Sequence, residues 1–416
     1  MSVGVGRSSA KSSFKSKLGR PQLALLLVAF WVGFNLRASL LSVPPILGLA
    51  RTSYHLSYEA AGLVTALPIL AFGVMAFPGA ALVRRLGGYR VVGIGLVVAA
   101  AGELGRALPG GALALFLGTV VMGTGIAIAQ PGLPAMWQRW FQGRVQLASV
   151  TLTLGITVGE VVGAGITQPF LLPLVHSWQG TMVCWGLLGA SCIPIWLLGV
   201  PREPAGRAGE TSWELRQLLL DRRLWSVYVL FAGQSLVFFS ANTWIPTSVG
   251  GGPHSALASL SLVTLNGVMV PVDLLLIVIA RPFATHRWFY LLSAGITLAG
   301  AGGWLFFWQR APLLFAALIG AGVALNFAGL LAYPAMVAAP ARVASLSAAI
   351  LTVGYAGAFF GPFLGGVALD LGGGRQSPFI PITVAAVIMV VAALVAPVGP
   401  ESGRESGGEP IAAFGP

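Results

Sequence analysis

The chain has 416 residues and a formal net charge of +12, yet only 9% of its residues are charged and 56% are hydrophobic. A soluble globular protein carries about 25% charged residues, so a chain this apolar would expose more hydrophobic surface than a soluble fold can cover. Its basic residues lie in short stretches between apolar runs, which argues against nucleic acid as a partner and makes this a polytopic protein whose partner is the lipid bilayer.

Residues 1–21 carry Arg7, Lys11, Lys15, Lys17 and Arg20 among serines and glycines and read as a disordered basic tail. Twelve candidate spans follow, each about as long as a helix needs to cross the hydrocarbon. They cover 22–49, 59–83, 90–108, 112–137, 146–171, 178–200, 224–249, 256–281, 287–308, 312–337, 345–369 and 379–399. The first is too long and too interrupted by polar residues for a cleaved signal, so a retained span is expected. Residues 201–223 form the long charged interior segment. They read as a linker between a six-helix bundle at 22–200 and another at 224–399, with 400–416 as a second tail.

Apart from the mid-span Arg37, Lys and Arg fall on the side of the N-terminus except for Arg51, Arg106, Arg310 and Arg375. Positive charge marks the cytoplasmic side, so both termini are expected in the cytoplasm and the protein in the cell inner membrane. Cys184 and Cys192 share one apolar run and read as a reduced, buried pair. His55, His176, His254 and His286 show no metal spacing, and neither a metal nor another cofactor is expected.

The halves look like a repeat. Gly155-x-x-x-Gly159-Glu-x-x-Gly163 in span 5 matches Gly357-x-x-x-Gly361-Pro-x-x-Gly365 in span 11, 202 residues on. Gly123-x-Gly125 with Pro134-Ala-Met136 matches Gly320-x-Gly322 with Pro334-Ala-Met336, and Leu63-Val-Thr65 matches Leu262-Val-Thr264. Two parallel six-helix repeats with a site between them near the midplane make a transporter architecture. The expected fold is therefore all-α integral membrane, twelve helices in two pseudo-symmetric six-helix bundles.

Over residues 20–400 the chain resembles the major facilitator superfamily. Two stretches resemble its cyanate and 2-nitroimidazole porter group: Phe34-Asn-Leu-Arg-Ala-Ser-Leu-Leu-Ser-Val-Pro-Pro45 and Phe231-Ala-Gly-Gln-Ser-Leu-Val-Phe-Phe-Ser-Ala-Asn-Thr-Trp-Ile-Pro246. The superfamily's loop signature between spans 2 and 3 is degenerate, since 79–90 keeps glycines and arginines but lacks the usual Asp. The resemblance implies a secondary transporter for a small anionic or polar nitrogen-containing solute, with a proton as candidate coupling ion and a monomer as the expected state.

Arg37 stands in the middle of the first span, where an arginine costs about 2.5–3.5 kcal/mol even on lenient insertion scales. It either makes a structural ion pair or binds an anion or electron-rich ring through its planar fork of donors; Asn35 is beside it. Pro44 and Pro45 lack the N–H groups that Leu40 and Leu41 would bond in a helix, so the backbone there should be distorted. Glu160 in span 5 shares a polar face with Thr153, Thr157 and Thr167 and is a proton carrier or Arg37's counter-ion. Asp273 in span 8 faces either a cavity or a neighbouring helix.

Gln234, Phe238 and Asn242 recur at helical spacing in span 7, as substrate contacts or as amides joining helices. Gln130, Asn326 and Tyr355 are further substrate-contact candidates. Glu103 and Arg106 read as a local ion pair, and Trp137, Trp140, Trp225 and Trp288 as interfacial anchors. A membrane enzyme would need clustered carboxylates or a nucleophile arrangement, which the scattered acids do not provide. A channel would need rings from matching repeats, and Arg37 has no equivalent in span 7. Glu160 and Asp273 leave an exporter of cationic or lipophilic drugs as the alternative.

Overall fold

The computed structural model describes residues 20–133, 136, 140–141, 145–202, 217–250, 256–279, 286–338 and 343–396. All regular structure among them is helical, as lipid demands, because a backbone inside hydrocarbon must satisfy its own polar groups. The first six spans are α1 (Arg20–Ser53), α2 (Tyr58–Leu86), α3 (Gly88–Gly105), α4 (Gly111–Ala129), α5 (Val145–Ile166, prolonged to Val175) and α6 (Trp178–Ala190 with Cys192–Gly199). The second six are α7 (Trp225–Val249), α8 (Ala256–Gly267 with Met269–Ile279), α9 (Arg287–Phe307), α10 (Pro312–Val337), α11 (Val343–Ala358 with Phe360–Asp370) and α12 (Phe379–Leu394).

Two boundaries and one burial reading change. Arg20 and Pro21, assigned to the tail, already belong to α1, since proline suits the first turn of a helix, where its missing N–H has no partner to lose. At the end of the linker, Arg222 and Arg223 form a 3₁₀ turn with Leu224 of the second bundle, capped by Asp221, which accepts from Arg223 N at 2.9 Å. Cys184 is half-buried rather than buried, and both cysteines are free. Residues 1–19, 203–216 and 400–416, and Trp137, lie outside the described residues.

The packing repeats with a step of six helices. α1 lies along α5, and α7 along α11; α3 packs on α4, and α9 on α10; α2 packs on α4, and α8 on α10. The halves join where α2 meets α11 and α5 meets α8.

The double proline breaks α1 where expected. The helix stops at Leu41, resumes as a 3₁₀ turn at Pro44–Ile46 and continues as Leu47–Ser53. The Ser39 carbonyl, freed by the break, accepts from Ser42 Oγ at 3.1 Å and from Arg106 Nη2 at 3.2 Å. Arg106 also pairs with Glu103, and each is 1% exposed. The pair at the end of α3 is therefore fully buried, and it anchors the broken segment of α1.

Candidate functional site

Small residues bring α5 against α1. A side chain at Gly155 would strike the Phe30 carbonyl, one at Gly159 the Phe34 carbonyl, and one at Gly163 would come within 2.7 Å of the Ala38 carbonyl. That close approach sets Glu160 beside Arg37. Arg37 Nε lies 3.7 Å from Glu160 Oε1, and both side chains are buried. A guanidinium can hold a carboxylate bidentately through two parallel hydrogen bonds; here one nitrogen faces Glu160 at longer range. Arg37 Nη1 is buried and has no hydrogen-bond partner among the described residues.

The guanidinium carbon lies 5.5 Å from the centre of the Phe72 ring on α2, within the range of a cation–π contact. From there an aromatic row crosses into the other half. Phe72 meets Tyr355 of α11 edge-on at 5.5 Å, and Tyr355 meets Phe231 of α7 at 5.4 Å. Phe231 continues the row to Phe327 of α10 at 5.9 Å. Two glycines make the room. A side chain at Gly73 would stand 3.0 Å from Ala356 N, and one at Gly354 would strike the Phe231 ring.

The remaining candidates divide. Asp273 is half-buried on α8, in the segment that packs on α5. Asn35 turns its amide back to Trp31 O at 2.9 Å. Asn242 donates to Phe238 O at 3.0 Å and accepts from Asn266 of α8 at 2.8 Å, so it ties α7 to α8. Asn326 donates to Ser293 Oγ of α9 at 3.0 Å and ties α10 to α9. Gln234 donates to its neighbour Ser235 at 2.6 Å. Phe238 stacks edge-on with Phe239 at 5.1 Å, and Gln130 caps the end of α4, half-buried.

Sequence reading missed Phe72, Phe231 and Phe327, since a phenylalanine among apolar residues has no periodic signal in a membrane helix. The Trp31 ring stacked on Phe34 at 5.4 Å and bonded to Ser191 Oγ at 3.1 Å was also unmarked.

Twelve spans among the described residues, in two matching sets, with a buried charged residue midway along the first span, make the architecture of a membrane transporter. The sequence matches the Major Facilitator Superfamily over residues 25–311, and the chain belongs to that family. It is 29% identical to the cyanate transport protein CynX of Escherichia coli over 354 residues, which span 84% of this chain and 91% of that protein. It is 27% identical to the 2-nitroimidazole transporter of the same organism over 398 residues, 91% of this chain and 96% of that one. In fold it is similar to the crystal structure of a bacterial homolog of the human lysosomal transporter Spinster, with a TM-score of 0.70 at 15% identity over 91% of this chain and 98% of that one.

Proposed function

We propose that this transporter moves a small anionic or polar nitrogen-containing solute, cyanate-like or nitroimidazole-like, by alternating access across the cytoplasmic membrane. In this reading residues 22–200 and 224–399 are the two moving bodies, both termini are cytoplasmic, and the unit is a monomer. The observation that carries it is the Arg37 guanidinium. It is buried mid-span, engaged by Glu160 through Nε at 3.7 Å, and left with Nη1 unpartnered beside the Phe72 ring. A polar solute entering there meets a charged donor whose desolvation the fold has already met, and an aromatic row contributed by both halves. The names of the two Escherichia coli relatives agree with such a solute.

Glu160 is the proposed proton site for coupling, with Asp273 as the second carboxylate. Uptake by Glu160→Gln in proteoliposomes should lose its dependence on a pH gradient; full dependence would remove Glu160 from that role. The substrate reading is tested by thermal stabilisation of the purified protein, because a ligand that binds the folded state raises apparent stability. Cyanate, other small anions and nitroimidazoles should raise the melting temperature, cationic drugs should not, and Arg37→Ala should remove the shift. Stabilisation by cationic drugs alone would overturn the reading.

A further inference from the structure

At the end of the bundle away from the N-terminus, the halves are locked mainly by shape. A side chain at Gly62 of α2 would strike the Pro362 carbonyl of α11, and one at Gly366 would strike the Tyr58 carbonyl. Thr243 Oγ1 of α7 donates to Thr65 Oγ1 of α2 at 3.0 Å, and within the second half Trp244 Nε1 holds the same Pro362 carbonyl at 3.0 Å.

Asp370 makes a different kind of contact. It is the last residue of α11 and is exposed. Its Oδ1 accepts from Tyr58 N at 3.0 Å and its Oδ2 from Glu59 N at 2.7 Å. These are the first two amides of α2, in the opposite half. Ser57, the N-cap, accepts from Ala60 N at 3.0 Å. A helix start leaves four amides without intrahelical partners, and here two of them are met by a carboxylate from the other half. The first turn of a helix also carries the positive end of its dipole, which favours an anion.

We infer that Asp370 is a latch that biases this end of the transporter toward closure and detaches when the halves separate there; the inference rests on the alternating-access reading above. Its chemistry suits release. When α2 and α11 part, carboxylate and amides alike pass into water, which supplies replacement hydrogen bonds. The buried contacts have no such exchange. An exposed charge contact is also screened by salt, so the bias should weaken as ionic strength rises.

The test measures the opening itself. With Cys184 and Cys192 replaced by serine, spin labels at Thr52→Cys and Gly374→Cys report the distance between the two halves at this end in nanodiscs. Both positions are exposed. Asp370→Ala should raise the ratio of long to short distances by about threefold or more, the scale of a charge at a helix start. A second pair of variants reaches the latch from α2. Proline fits the first helical position, and Ser57 is already extended (φ −62°, ψ 164°), as a residue before proline must be. Tyr58→Pro loses the donor that Tyr58→Ala keeps, so Tyr58→Pro should populate the long distance more. Adding Tyr58→Pro to Asp370→Ala should add less than it does alone.

Unchanged distances in Asp370→Ala, or equal distances in Tyr58→Pro and Tyr58→Ala, would overturn the latch; if Asp370→Ala does not fold, the Tyr58 pair decides. The measurement uses no solute, so its failure leaves the substrate reading standing, and the melting-temperature panel tests that separately.

Discussion

In α5, Gly155, Gly159 and Gly163 close on Phe30, Phe34 and Ala38 of α1; in α11, Gly357 closes on Ala232, Gly361 on Leu236 and Ser240, and Gly365 on Trp244 of α7. Positions 30, 34 and 38 become 232, 236 and 240, the same step of 202 residues that relates the glycines. The two seams differ beside the glycines. Where the first half has Arg37 and Glu160, the second has Phe239 and Pro362. One joint is thus built twice, and the second copy holds without a charge. Close glycine packing makes the seam, which supports reading the ion pair as a site added to it.

Removing the charge is the strongest way to break this comparison. Arg37→Ala should lower uptake by roughly a hundredfold, the loss of a charged contact of about 3 kcal/mol, while the protein still inserts and folds. Phe239→Ala, at the matching place, should leave uptake within about threefold, since nothing charged is lost. Adding Glu160→Gln to Arg37→Ala removes the orphaned carboxylate, so it should recover thermal stability without recovering uptake. Recovered uptake would make the pair structural.

A second contrast lies at the ends of α3 and α9. The first half buries the Glu103–Arg106 pair; the second buries Trp304, which donates to Ser248 Oγ at 3.0 Å. Arg106→Ala strands a buried carboxylate and should cost about 3–5 kcal/mol. Trp304→Ala leaves a cavity and should cost a similar 3–5 kcal/mol or so. Denaturation in detergent or nanodiscs compares them.

The glycines give a smaller effect. A methyl at Gly159 meets a backbone carbonyl, whereas one at Gly361 first meets the Ser240 hydroxyl, which can rotate away. Gly159→Ala should cost about 1–3 kcal/mol of overpacking, and Gly361→Ala less. The smallest change is expected for Asn326→Ala, which removes one interhelical amide bond worth roughly 0.6 kcal/mol and should leave uptake within about twofold.

Much of the site was legible because charge and proline are costly in a bilayer. Arg37, Glu160 and Asp273 stand out against apolar neighbours, and Pro44-Pro45 marks the break in α1. The aromatic row was not legible. In a soluble helix, apolar periodicity separates the core from the surface; in a membrane helix, lipid-facing and buried positions are both apolar, so Phe72 reads like the exposed Phe306. The amides were legible as residues but not in use: Asn242 and Asn326 are engaged by neighbouring helices within their own half.

The sequence by itself determined the membrane class, the spans, the six-helix repeat and the presence of buried charge in one half, because each follows from local composition, spacing or the cost of desolvating a charge. The tertiary structure alone decided that Arg37 meets Glu160 through one nitrogen, that Phe72 meets Tyr355 across the two halves, and that Asp370 caps α2. Those contacts depend on how each helix is rotated and how closely its glycines let it approach a partner far away in the chain, and that is settled by packing among all the helices at once.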